Sequence, residues 1–187
     1  MKKLILAVIA VASITLGQAQ TVVGDVTLPN TMTVDGAELV LNGAGIREKV
    51  FIDLYAVGLY VPQKTKKAKD IINADESMAM KLEIISFLIS SDKMISAIND
   101  GFDLSMSYDT APLKNEIETF KGFLSEKIVQ GNVFDFSYTK ERGTVVSKNG
   151  KEVGVIEGLE FKKALFGIWL GSQPVDKDLK KGLLKAK

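Results

Sequence analysis

Residues 51–61 read Phe-Ile-Asp-Leu-Tyr-Ala-Val-Gly-Leu-Tyr-Val, a nearly unbroken apolar run stopped by Pro62. Periodicity alone does not separate a buried strand from a buried helix in such a run. Composition does, because Ile52, Tyr55, Val57, Tyr60 and Val61 are β-branched or aromatic and suit a pleated, packed surface. The run is therefore expected to be a central strand of a sheet.

Working outward, the segments Thr21–Val26, Met32–Val34 and Ala37–Leu41 are β-branched or alternating. Asp35-Gly36 between the last two is a strong two-residue hairpin turn. Downstream, Thr65 can cap a short basic helix through Asn73, and Met78–Ser86 alternates with Met80, Leu82 and Ile84 on one face. Ser90 or Ser91 can cap a helix that turns Met94, Ile95 and Ile98 inward. Pro112 opens a second helix, striped by Leu113, Ile117, Phe120, Leu124 and Ile128. Strands return at Val133–Thr139, Thr144–Ser147 and Glu152–Ile156, with Asn149-Gly150 as another hairpin turn. Glu160–Leu170 is an amphipathic helix ended by Gly171, and Asp176 begins a short basic helix. This order of elements reads as an α+β domain with an antiparallel sheet covered on one face.

The first nineteen residues have the form of a secretory signal peptide. Lys2 and Lys3 make a basic start, Leu4–Leu16 an apolar centre, and Gly17-Gln18-Ala19 a cleavage site. The apolar run is too short to span a bilayer, and no later stretch reaches the ~20 apolar residues a span requires. The chain is thus expected to divide into a signal peptide, 1–19, and one domain, 20–187, that is periplasmic or secreted and monomeric. Losing Lys2 and Lys3 reduces the 24 basic residues to 22, against 23 acidic ones. No net field then attracts nucleic acid or an anionic membrane.

The chain has no histidine and no cysteine. That excludes Ser-His and Cys-His nucleophile pairs, histidine general bases and ordinary zinc sites. No metal and no cofactor is expected. Asp25, Asp35, Asp53, Glu83 and Asp135 have no carboxylate partner at strand or helix spacing, which leaves no glycosidase-like pair. The lysines at 64, 66, 67 and 69 read as a solvated helix face. Gly43-Ala44-Gly45 lacks the third glycine and the helix start of a dinucleotide loop.

Three segments together resemble the chalcone isomerase-like family, especially its small exported bacterial members. Asn42-Gly43-Ala44-Gly45-Ile46-Arg47 is similar to the family's Gly-Val-Arg strand, and Tyr55-Ala56-Val57-Gly58-Leu59-Tyr60 to the strand that follows it. Gly154-Val155-Ile156-Glu157 through Leu165-Phe166-Gly167-Ile168-Trp169-Leu170-Gly171 resembles its C-terminal part. The resemblance implies an open-faced β-sandwich, with a large antiparallel sheet covered by helices and a ligand cleft between them. It also implies that Arg47 is the cleft arginine. Read without the family, Arg47 makes a surface ion pair with a neighbouring acid such as Glu48 or Asp53.

Tyr55 stands where plant chalcone isomerases have a threonine. The plant fatty-acid-binding relatives pair an arginine with a tyrosine around a ligand carboxylate, and this sequence looks more like that branch. Its other reading is a core tyrosine with its hydroxyl at the rim. Tyr108 and Asn115 have the spacing of the plant enzymes' catalytic tyrosine and asparagine; otherwise they are a loop tyrosine and an exposed helix residue. Lys151–Gly154 contains no counterpart of the family's second threonine. The expected function is binding of a small amphipathic carboxylate such as a fatty acid by Arg47 and Tyr55. Two alternatives stand beside it: an isomerase of the intramolecular-lyase type using Arg47, Tyr108 and Asn115, and an envelope interaction module with no small ligand.

Overall fold

The computed structural model describes residues 20–186. The expected signal peptide, residues 1–19, lies outside the described residues. Among these residues nine strands, five α-helices and one 3-10 turn follow in the order β1 (Gln20–Val23), β2 (Val26–Pro29), β3 (Thr31–Val34), β4 (Ala37–Lys49), β5 (Ile52–Val61), α1 (Ala68–Asn73), β6 (Met78–Ile84), α2 (Ser91–Ser105), the 3-10 turn (Ala111–Leu113), α3 (Lys114–Phe123), β7 (Val133–Thr139), β8 (Gly143–Lys148), β9 (Lys151–Ile156), α4 (Leu159–Leu170) and α5 (Lys177–Leu183). Strands β3 to β9 form one antiparallel seven-stranded sheet in sequential order, while β1 and β2 pair separately. This is the α+β architecture expected from the order of elements, and the run at 51–61 does supply a central strand.

The two faces of β5 sort the cores. Tyr55, Val57, Leu59 and Val61 point one way and join Met80, Leu82, Phe134 and Phe136 beneath the helices. Ala56 and Tyr60 point the other way. Ala56 is covered by Val26 and Leu28 of the small β1–β2 sheet, and Tyr60 packs with Leu39, Leu41 and Ala79. The large sheet curls, so that the β3–β4 turn meets the end of β7, where Thr139 donates to Asp35 at 3.4 Å. Ser90 caps α2 as expected, accepting the Lys93 N–H. Thr65 does not cap α1; the helix begins after Lys67, and Thr65 instead accepts the Lys67 N–H at 3.2 Å.

Among the described residues one charged side chain lies wholly inside. Lys162 on α4 is 0 % exposed, and its ammonium donates to the carbonyls of Ile71, Ile72 and Ala74 at 2.7, 3.0 and 2.8 Å. These are carbonyls that the end of a helix leaves without intrahelical partners, so Lys162 ties the C-terminus of α1 to α4. The rings of Tyr138 and Phe166 lie 5.5 and 5.3 Å from the same nitrogen and add cation–π attraction.

Candidate functional site

Arg47 and Tyr55 are direct partners across the β4–β5 ladder, which puts their side chains on the same face of the sheet, toward the helices. The register shifts immediately afterward, since Glu48 pairs with Asp53 and Leu54 is left over. That bulge turns the hairpin end relative to the rest of β5. The spare Leu54 carbonyl accepts the N–H groups of Ile85 and Ser86 at 3.0 and 3.1 Å, fastening the start of the β6–α2 loop to the hairpin.

Arg47 does not pair with Glu48 or Asp53. Its Nη1 lies 3.3 Å from Oδ2 of Asp176, with the two side chains 20 % and 14 % exposed. The other oxygen of Asp176 accepts the N–H groups of Asp178 and Leu179 at 2.8 and 3.0 Å, making Asp176 the N-cap of α5. Burial works to raise the Asp176 carboxyl. The two backbone donors and the Arg47 guanidinium outweigh it and hold the group below its ordinary value of 3.8.

The glycines of the Asn42–Arg47 segment explain how Asp176 arrives there. A Cβ on Gly43 would lie 2.6 Å from the Leu183 carbonyl oxygen, and one on Gly182 would lie 2.7 Å from that of Ala44. Strand β4 and helix α5 therefore touch backbone to backbone, an approach that only glycine permits. Asn42 is buried and locks the contact, donating to the Leu183 carbonyl at 2.8 Å and accepting the Thr65 N–H at 2.8 Å.

Tyr55 is buried, and its hydroxyl accepts the indole N–H of Trp169 at 3.2 Å. Burial raises the phenol pKa, while the Trp169 donor and the Arg47 charge pull the other way without reversing it. The hydroxyl therefore keeps its proton at all physiological pH. Among the described residues no acceptor takes that O–H, so the phenol retains one donor to offer. Trp169 and Asp176 complete the constellation from far along the chain. Neither was among the residues singled out as site candidates from the sequence.

Tyr108 and Asn115 are not gathered to Arg47. Tyr108 is 71 % exposed, in a left-handed conformation (φ 65°) just past the end of α2. Asn115 is exposed in the first turn of α3. The space between sheet and helices is occupied by Phe102, Phe120, Phe136, Phe161 and Trp169, whose ring centroids lie 5.6–6.1 Å apart. A cavity of about 530 Å³ opens beside α4, lined by Ile72, Met106, Leu113 and Ala164, and another of about 600 Å³ lies by Val129 and Lys148. Neither is lined by Arg47 or Tyr55. Among the described residues no three acidic side chains come together as a metal site.

The comparisons agree with this architecture. A family model described as chalcone isomerase-like matches residues 20–185. The fold is similar to the crystal structure of an Arabidopsis thaliana fatty-acid binding protein, with a TM-score of 0.69 and 15 % sequence identity. That alignment covers 89 % of this chain and 96 % of the plant chain. Among curated proteins, no sequence matches this one.

Proposed function

The chain belongs to the chalcone isomerase-like family, and on that premise we propose that it is an exported, monomeric binding protein for a small amphipathic carboxylate such as a fatty acid, held at its head group by Arg47 and Tyr55. One observation carries the reading: a guanidinium and a protonated phenol with an unspent O–H donor stand side by side on adjacent strands. Trp169 fixes the phenol's orientation. A carboxylate can accept from both donors at once, and charge-assisted bonds of that kind are the strong ones.

The guanidinium already holds a carboxylate, that of Asp176. The single contact at 3.3 Å is longer than the ~2.7–2.9 Å of a tight charge-assisted bond. Asp176 also keeps its two backbone donors if the contact is lost. A ligand head group can therefore take its place without stranding a charge. The plant protein of similar fold is a fatty-acid binding protein, which supports the same ligand class.

For the tail, burying ~12 methylenes at ~0.8 kcal/mol each yields about 10 kcal/mol gross. Association takes back at least ~4 kcal/mol. Parting the packed aromatic side chains costs more, so affinity is micromolar or weaker. The filled interior is also the observation that favours a second reading, an envelope interaction module with no small ligand. Native mass spectrometry after mild extraction from the exporting host separates the two. Bound acyl species support the carboxylate reading, whereas empty protein that takes up no added fatty acid supports the module.

A further inference from the structure

Large apolar side chains left in solvent gather at one end of the sheet. Val50 is 77 % exposed, Phe51 94 % and Phe87 80 %, with Ile52 and Leu88 near 40 % at 41 % and 39 %. Val50 and Phe51 are the two central residues of the β4–β5 turn, between the paired Lys49 and Ile52. Phe87 and Leu88 follow directly on the two N–H groups that bond to Leu54, so they emerge beside the hairpin tip.

The backbone of that tip is the second observation. Val50 and Phe51 have φ of 53° and 61°, the left-handed region that suits Asn, Asp and Gly and penalises a β-branched residue. The other two-residue hairpin turns among the described residues use the relaxed chemistry, each placing a glycine at a left-handed position: Gly24-Asp25, Asp35-Gly36 and Asn149-Gly150. Among the described residues only the β4–β5 hairpin combines strain with two apolar side chains held in water. Nothing inside the fold gains from either, which points to something outside it.

We propose that this crown of loop tips docks the protein on a phospholipid bilayer surface, inserting Val50, Phe51 and Phe87 at the boundary between head groups and acyl chains. The proposal rests on the carboxylate-binding reading in one respect. Arg47 and Tyr55 lie three and four residues from the tip on the same hairpin, so docking brings the head-group site to the surface in which amphipathic carboxylates partition.

Area and shape favour a bilayer over a second protein. An aromatic side chain buries ~150–250 Å², so two of them with three partly exposed aliphatics offer roughly 500 Å². A stable protein interface takes ~800 Å² from each partner. The tips are also convex, whereas insertion into lipid needs no complementary shape. The charges around them, Glu48, Lys49, Asp53, Asp92 and Lys93, are all exposed and of mixed sign, which suits zwitterionic head groups. A buried apolar area of this size acts like a single acyl chain and gives reversible attachment.

The test is flotation of the purified protein with phosphatidylcholine vesicles. The double variant Val50→Asn, Phe51→Gly restores the relaxed turn. It should bind vesicles at least tenfold more weakly while its melting temperature rises, which excludes misfolding as the cause. Phe87→Ser on the other loop should also weaken binding, and added salt should not release the native protein. The proposal is overturned if the native protein stays with the soluble fraction, or if the double variant floats equally well. It is also overturned if the native protein forms a dimer that the double variant lacks. Decanoate titrated in the absence of vesicles keeps the two readings apart. Docking without decanoate binding removes the head-group reading alone, and decanoate binding without docking removes this proposal alone.

Discussion

Replacing Lys162 with methionine tests whether a buried charge can be costly and structurally necessary at once. Burial, reinforced by the Lys163 charge and only partly offset by Asp75 and Glu76, pulls the Lys162 ammonium down from 10.5 to about 8. At 1.36 kcal/mol per pH unit, the charged form is disfavoured in the folded state by about 3 kcal/mol relative to the neutral form. Methionine removes that penalty. It also removes the donor from the carbonyls of Ile71, Ile72 and Ala74, at about 1–3 kcal/mol for each buried carbonyl left unsatisfied. The carbonyls win, and Lys162→Met should be about 2–3 kcal/mol less stable at pH 7. The pH dependence then identifies the cause. Because the folded pKa is the lower one, the unfolded chain binds more protons between pH 8 and 10.5, and stability rises with pH across that window. From pH 7 to 9.5 the native protein should gain about 2 kcal/mol. The raised phenols of Tyr55, Tyr60 and Tyr138 work against this only near and above pH 10. Urea unfolding at both pH values measures the gain directly. Native stability that is flat or falling over this range, or a variant that gains as much, refutes the reasoning.

Gly43→Ala should destabilise by about 3 kcal/mol, the upper range for overpacking, because its Cβ meets the backbone carbonyls of α5 rather than a movable side chain; urea midpoints give the figure. Gly122→Ala, with open space around the added methyl group in α3, should instead stabilise by about 0.5–1 kcal/mol in the same assay. Asp176→Ala removes two capping bonds and an ion pair and should cost about 1–2 kcal/mol at neutral pH. Since the folded Asp176 pKa is depressed, its contribution is present above the ordinary carboxylate range and lost as pH falls through the lowered value. Acid titration followed by circular dichroism should therefore show a shallower acid loss in the variant than in the native protein.

Local chemistry made much of the fold legible. Asp35-Gly36 and Asn149-Gly150 are hairpin turns where expected, β7 runs from Val133 to Thr139 as its alternation indicates, and Ser90 and Asp176 cap their helices. The β1–β2 turn was not legible, because Gly24-Asp25 sits within a run of valines that reads as one strand. Leu124 and Ile128 continue the helical stripe and are buried, but α3 ends at Phe123, so they pack from a loop.

The site divides along the same line. Arg47 and Tyr55 could be named because the segments that carry them resemble strands of the family; their pairing across the β4–β5 ladder is given by the structure. The partner of Arg47 could not be named, since Asp176 is 129 residues away and arrives only through the glycine contact between β4 and α5. Glu48 was the wrong neighbour for a simple reason: adjacent side chains on a strand point to opposite faces. Trp169 reads as one more core residue of α4 until the packing brings its N–H to Tyr55.

The most direct test of the carboxylate reading uses Trp169, the chain's single tryptophan, whose indole donates to the Tyr55 hydroxyl. Dodecanoate titrated into the native protein should change its fluorescence saturably, with a midpoint in the micromolar range or above. In Arg47→Leu that change should vanish while the unfolding free energy from urea titration falls by no more than about 1 kcal/mol, because Asp176 keeps its two backbone donors. A native protein with no saturable change, or an Arg47→Leu variant that binds as well as the native protein, contradicts the account. So does a variant that unfolds sharply with dodecanoate binding intact, which makes Arg47 a structural ion-pair partner of Asp176 and nothing more.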